Sequence, residues 1–590
     1  MTPLPGNDAP PLTLWPSPPA DGEHVPWSAY ATEVLDHAGF SYATSTDPAQ
    51  LPAGGVLLLT AAVSAEEARS LTAWVAEGGT LVLAPGAGAL ADSPELTALA
   101  GAGTARSAGS ELVECAPHWA DRPDSALRAL AGHALHPEDS TETLASFSDG
   151  TAAITRRREG TGLVFTFGVD LWYTIVRIQQ GYPVTADGTP ATDGTAPIDD
   201  GLLKAEDGMA LDLETDRTMP PGHPALSAEY THTYPPPAAV PIFDQPHADW
   251  WRSLLLQTLW QGIAHSRTPL AWLDYWPAGI DAVAHMSHDA DGNAPEDGRA
   301  ALDAFAAAGT TVTWHQVFPG GYGPELFEAI TEAGHEHALH YNAMADADLC
   351  TWGWPQLRAQ YAWAQAVTGQ ERIVSNKNHY TRWQGWTEFY TWCERVGLQI
   401  DSSRGPSKQG TVGFPFGTAH VSFPLAPAGH DHRFHDVLNL PLHTQDLAWA
   451  GHLAVRDVIL GAAHTQHGVA HFLFHGPHLN LRPLTRQACL DVADAARERG
   501  MPWWTAEQIN AWERARRGVR VQLEAVDSGW RVTVRSSVAL AEAALLLALP
   551  SSVQPEDAGA TVRPVRRHGH EFIELGVHLP AGTSSWLLHR

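Results

Sequence analysis

The chain has 590 residues, enough at about 150 residues per domain for three or four domains with a large core. Asp+Glu number 66 against 36 Lys+Arg, and the resulting net charge of −30 repels nucleic-acid backbones and anionic membrane surfaces. A composition 44% hydrophobic and only 17% charged excludes a disordered chain, and four scattered cysteines exclude a disulfide framework or a paired-cysteine zinc knuckle. The opening MTPLPGNDAPPLTLW has no basic start or apolar run, and no stretch of 18 apolar residues follows. A cytoplasmic protein with neither membrane nor nucleic acid as partner is therefore expected.

Residues 55–60, GVLLLT, predict a buried strand. SAEEARSLTAWVAEGG then opens with a Ser N-cap, has Glu67 three residues on, and places Ala68, Leu71, Trp74 and Val75 at helical spacing. Gly78-Gly79 stops that helix before the strand TLVLAPG, and GLVFTF at 162–167 adds another. Strand, helix and strand in this order predict an open parallel sheet. Residues 1–180 thereby resemble the class I glutamine amidotransferase-like α/β domain. Active members of that family carry a nucleophilic cysteine at a glycine-flanked elbow, whereas the turn here reads PGAGAL. The resemblance implies a domain without that chemistry, serving structure or homo-oligomerisation.

Residues 181–245 are rich in Pro, Gly, Asp and Thr and predict an extended connection. From about 280 the rhythm turns regular. Strands are predicted at DAVAHMSHDAD, TVTWHQV, HEHALHY, RIVSN, LQIDSS, DVLNLPLHTQD and VAHFLFHG, most of them separated by amphipathic helices. Seven or so β-α units across 246–514 predict a closed α/β barrel, whose reactive groups belong just past the strand ends. After 515, alternating segments such as WRVTVRSSV and EFIELGVHLP predict a small antiparallel β domain over 515–590, sandwich-like in character.

The barrel region holds the chemistry. Between His285 and His478 lie 18 of the 31 histidines, and the polar clusters fall at strand ends. Asp289 and Asp291 in SHDAD can divide labour, one binding a metal and the other staying free as a base. GHEHALHYN places His340 at a rim, SNKNHYTRW places His379 and Arg382 after the next strand, and HFLFHGPH ends a strand at His475.

The order SHDAD, GHEHALHYN, NHYTRW, IDSSRG…GFPFGT, LNLPLHTQD and FLFHGPH resembles the polysaccharide deacetylase (NodB-homology) family over about 280–505. The likeness is to the branch whose first motif reads His-Asp-x-Asp. It implies a distorted (β/α)7 barrel and metal-dependent removal of an N-acetyl, less often O-acetyl, group from a carbohydrate. Carried over, Asp289 is the base and Asp291 a metal ligand, with His340 as a second ligand. Arg382 holds the base, and His475 protonates the leaving group. The family's second metal histidine would fall at Met344, so the third ligand is expected from His379 first and His288 second. Pro415 stands where related sequences tend to carry arginine, which bears on substrate recognition. The implied cofactor is one divalent ion: zinc foremost, with cobalt, manganese or nickel as alternatives. Trp352, Trp354, Trp383 and Trp386 follow the second and third motifs and are candidates for a saccharide cleft.

Two other readings stand beside this one. A carbohydrate-binding or scaffold protein would keep the barrel without turnover. A metal-free glycosidase would need opposed carboxylates about 5–9.5 Å apart, and Asp289 and Asp291 are too close in sequence to supply them.

Overall fold

The computed structural model describes residues 10–17, 26–117, 119, 121–195, 201–220, 240–344, 349–407, 410–427, 434–527, 529–549, 554–555 and 561–589. Residues 196–200 and 221–239 of the Pro/Gly-rich stretch assigned to an extended connection lie outside them. The chain forms two compact units: Met1–Val176, Trp250–Gly279 and Arg514–Arg590 make the first, Arg177–Asp249 and Ile280–Glu513 the second. No helix among the described residues is long and apolar enough to cross a membrane.

The second unit is built on seven parallel strands: β1 (Val283–Asp289), β2 (Thr313–Val317), β3 (Glu336–Tyr341), β4 (Ser375–Asn378), β5 (Ile400–Asp401), β6 (Leu438–Asn439) and β7 (Val469–His475). Their order is β6-β5-β4-β3-β2-β1-β7, the sequential order of a barrel with the last strand beside the first. Helices such as Pro295–Ala308 after β1 and Pro483–Glu498 after β7 cover the outer face. The first of these starts at a proline with Glu296 and Asp297 in its opening turn, and stops at Gly309 in the left-handed conformation (φ 62°). Met286, Trp314, Phe472 and Phe474 on the strands and Phe305, Ile459 and Val492 on the helices form one buried cluster between the two layers.

The barrel departs from the expected closed form. No backbone ladder joins β6 to β7 among the described residues. Side chains of the segment after β6 cover that edge instead: His471 N donates to His443 Nδ1 (3.1 Å), Leu473 N to Thr444 Oγ1 (3.3 Å) and His475 N to Asp446 Oδ1 (2.8 Å). Three alternate amides of β7 are thereby satisfied without a partner strand, and Val469 N donates to Ala419 O (2.8 Å).

In the first unit, the strands Val56–Leu59 and Thr80–Leu83 are parallel and buried, with helix Ala65–Ala76 between them. The helix begins with the capping box that Ser64 and Glu67 predict. The sheet is only partly the open parallel one expected. From Gly162–Phe167, parallel to Thr80–Leu83, it continues through antiparallel strands Ala152–Glu159, Thr141–Phe147 and Glu111–Cys115. Among the described residues, the C-terminal segment supplies four strands to one antiparallel sheet and three to another. The latter takes Leu270–Pro277 as an edge strand against Leu540–Ala548, although the sequence boundaries had grouped 270–277 with the barrel.

Candidate active site

Strand register brings the site together. Asp289 on β1 pairs with His475 on β7 and with His315 on β2, while His340 on β3 pairs with Lys377 on β4. In β1, alternation sends Ser287 and Asp289 into the barrel and His288 outward. Asp289 reaches Lys377, three strands away, which only inward-pointing side chains can do. His288 instead packs between Phe305 and Trp314 and donates through Nδ1 to Phe474 O (2.8 Å). The second candidate for the third ligand therefore lies on the opposite face of the sheet from the site.

Asp291 stands at the centre of a donor group. Its carboxylate lies 3.3 Å from His340 Nε2 and 3.4 Å from His379 Nε2, and ligand atoms of the three residues all lie within 4.8 Å of one another. Both imidazoles are held from behind. His340 Nδ1 donates to Lys377 O (2.8 Å), leaving Nε2 turned toward Asp291, and this buried nitrogen has no hydrogen-bond partner. His379 Nδ1 donates to Asn342 Oδ1 (3.2 Å), and Asn342 Oδ1 also accepts from the backbone N–H of Met344 (3.3 Å). Met344 thus helps to aim His379 through its main chain. Two ligands about 2.0–2.1 Å from one tetrahedral ion lie about 3.3–3.4 Å apart; His340 Nε2 stands 3.3 Å from Asp291 Oδ1, and His379 Nε2 stands 3.4 Å from Asp291 Oδ2. An orphaned ring nitrogen, backed imidazoles and mixed N/O donors make the group fit a divalent ion.

A second group, Asp446, His475 and His478, is close in a different way. Asp446 Oδ2 lies 2.6 Å from His475 Nδ1, a hydrogen bond, and 2.9 Å from His478 Nδ1, both shorter than the about 3.3 Å between two ligands of one tetrahedral ion. Burial opposes charge on His475, but Asp446 overrides it, helped by Asp291 and Asp289, and raises the imidazole to about 9. Asp446 itself is fully buried, and the two imidazoles hold its carboxyl far below the usual range against the effect of burial.

Asp289 is 2% exposed, and burial would raise its carboxyl; His340 and Lys377, with His315, hold it well below the usual range. The Lys377 ammonium is in direct contact with Asp289 Oδ2, and His315 Nδ1 lies 3.2 Å from Oδ1. His475 Nε2 lies 3.8 Å from Asp289 and 3.5 Å from Asp291. A cavity of about 250 Å³ opens onto these groups, lined among others by Asp289, Asp291, Lys377, Tyr380, Trp449 and His475.

No family model and no curated protein matches the chain. Among solved structures, a putative polysaccharide deacetylase from Mycobacterium smegmatis is 17% identical, with 41% of this chain and 93% of that one covered and a TM-score of 0.32. A peptidoglycan deacetylase from Bacillus subtilis is 12% identical, with 40% and 93% covered and a TM-score of 0.26. An exo-β-1,4-mannosidase from Opitutaceae bacterium strain TAV5 is 18% identical, with 28% and 32% covered and a TM-score of 0.23, so this chain spans about a third of that enzyme. These likenesses are remote.

Of the residues singled out from sequence, Asp289, Asp291, His340, His379 and His475 converge on the cavity region, and Arg382 does not. Its guanidinium donates to Leu203 O (2.9 Å) and lies over the Trp352 ring, while Lys377 takes the place beside Asp289. The reason is positional: Lys377 is inside β4 and points inward, whereas Arg382 follows the turn after the strand. The tryptophans are also redirected. Trp383 is fully buried, Trp352 packs against the same apolar cluster, Trp386 donates to Gly181 O, and Trp354 lies under Arg395. Lys377, His315, Asp446 and His478 were missed. Asp446 had a signal, a carboxylate just past a predicted strand in LHTQD, but Lys377 in SNKN reads as any polar strand residue.

Proposed function

We propose that the chain is a metal-dependent hydrolase that removes an N-acetyl or related acyl group from a carbohydrate, with its chemistry in the second unit. One observation carries the reading: three donor atoms within 4.8 Å of one another lie beside a buried carboxylate and an imidazole backed by a further carboxylate. Asp291, His340 and His379 would hold the ion. A divalent ion there supplies Lewis acidity toward an acyl carbonyl and makes water more acidic.

The remaining work falls to the chain's own side chains. Asp289 accepts the proton of the attacking water at a carboxylate oxygen, and Lys377 and His315 keep that carboxylate ionised and fixed. His475 donates from Nε2 to the departing amine nitrogen as the carbon–nitrogen bond breaks, giving the carboxylate and the amine as products. Asp446 fixes the tautomer and direction of His475 through Nδ1. The cavity volume suits a short acylated saccharide end.

Acetate release from a panel of N-acetylated mono- and oligosaccharides, with zinc, cobalt or manganese added, tests the reading. Asp289→Asn keeps the ion but cannot accept the proton, so release should fall by about 10²–10⁴ at full metal occupancy. Equal rates in wild type and Asp289→Asn would contradict the base assignment. No release from any substrate by the metal-loaded wild type would contradict the hydrolase.

A further inference from the structure

Immediately after His379, the backbone takes two conformations that side-chain-bearing residues rarely adopt. Tyr380 has φ 57° and ψ 23°, and Thr381, a β-branched residue, has φ 50°. Strain of this kind persists where the surrounding structure enforces it, and it gathers at functional positions. Here it folds the chain back within one turn, with Arg382 N donating to His379 O (3.1 Å). The His379 ring then faces Asp291 while the next side chain stands at the cavity wall. Tyr380 is 43% exposed, among the most exposed large apolar side chains described, and its ring meets that of His379 edge-on with centroids 4.6 Å apart. Trp449, from the segment after β6, brings a second aromatic ring to the same cavity and packs against His478 at 4.5 Å. The tryptophans that the sequence offered for a saccharide cleft do not line the cavity, and among the described residues lining it Tyr380 and Trp449 are the ones that bring a tyrosine or tryptophan ring.

We propose that Tyr380 is the platform on which the substrate's sugar ring stacks, held at the cavity by the left-handed turn at 380–381, with Trp449 as a second wall. The inference rests on the hydrolase reading and adds to it the residue that selects a pyranoside over a free amide. Pyranose rings present apolar C–H faces, and a partly exposed tyrosine beside the reacting groups offers a flat apolar face with little conformational freedom to lose. Stacking of this kind acts on binding more than on the chemical step.

The test uses the full zinc-loaded chain and N,N′-diacetylchitobiose. Tyr380→Asn and Tyr380→Gly remove the ring while accepting the left-handed backbone more easily than tyrosine does. Both should raise KM about tenfold, leave kcat within about twofold, and melt no lower than wild type. Tyr380→Phe, which keeps the ring, should stay within about threefold of the wild-type KM. A wild-type KM in the two ring-less variants would overturn the proposal and leave the hydrolase standing. If wild type releases no acetate, the hydrolase reading fails, and saturation-transfer NMR with the same disaccharide still decides on Tyr380. Transfer to the sugar ring protons in wild type that is lost in Tyr380→Asn supports it; equal transfer in both, or none in wild type, overturns it.

Discussion

Asp289 sits where a carboxylate could not remain ionised alone. It is almost wholly buried, and the neighbour that compensates for lost solvation is Lys377, itself 1% exposed. Removing one member of such a pair leaves an uncompensated buried charge, at a cost of about 3–5 kcal/mol. Lys377→Met should therefore lower the unfolding free energy from urea titration by that amount or force Asp289 to take up a proton, and acyl hydrolysis should fall with it. Lys377→Met combined with Asp289→Asn should recover most of the stability but none of the activity. A double variant no more stable than the single one would show that the two residues are not coupled. The residue scale is also where sequence reading reached furthest and failed most specifically. Asp289, Asp291, His340, His379 and His475 stand at strand ends, where position alone marks them. Lys377 and His315 are interior strand residues, and their roles depend on which strand lies across the barrel, a fact no local pattern contains.

The edge of β7 shows how an element can be completed by side chains. His443 accepts from His471 N through Nδ1 and donates to Thr418 O through Nε2 (3.0 Å), which fixes a neutral ring with both nitrogens used. Burial pushes this imidazole down to about 4, and His285, which donates to Trp504 O, down to about 3. The folded pKa is thus depressed below the unfolded value near 6.5. Stability is fully present above pH 6.5 and declines as pH falls toward 4, because the unfolded chain takes up protons that the fold refuses. His443→Gln retains a donor and an acceptor without titrating. Unfolding free energies from urea titrations between pH 7.5 and 4.5 should fall less steeply in the variant, by at most about 3 kcal/mol over the window. Identical pH slopes would contradict the neutral, buried assignment. The seven strands were legible because each is a short run bounded by turn residues or amphipathic helices. The antiparallel strands between 102 and 159 were not, because AGTARSA and TETLASF are too polar to announce strands and gain their place only from neighbours in the sheet.

At the scale of the whole chain, two units are each assembled from separated segments, and pairings such as Leu270–Pro277 with Leu540–Ala548 join residues some 270 positions apart. No periodicity in the sequence can register such a pairing. The catalytic reading, by contrast, is concentrated in one place. If Asp291, His340 and His379 form a binding site in the fold and not in the unfolded chain, a bound ion must stabilise the protein as well as activate it. Elemental analysis of the purified full chain, after zinc loading and desalting, measures whether these three residues bind an ion. Wild type and Asp289→Asn should each hold one divalent ion per chain, and His340→Ala and Asp291→Ala should hold none. A wild type without ion, or His340→Ala with an undiminished one, would contradict the ligand assignment.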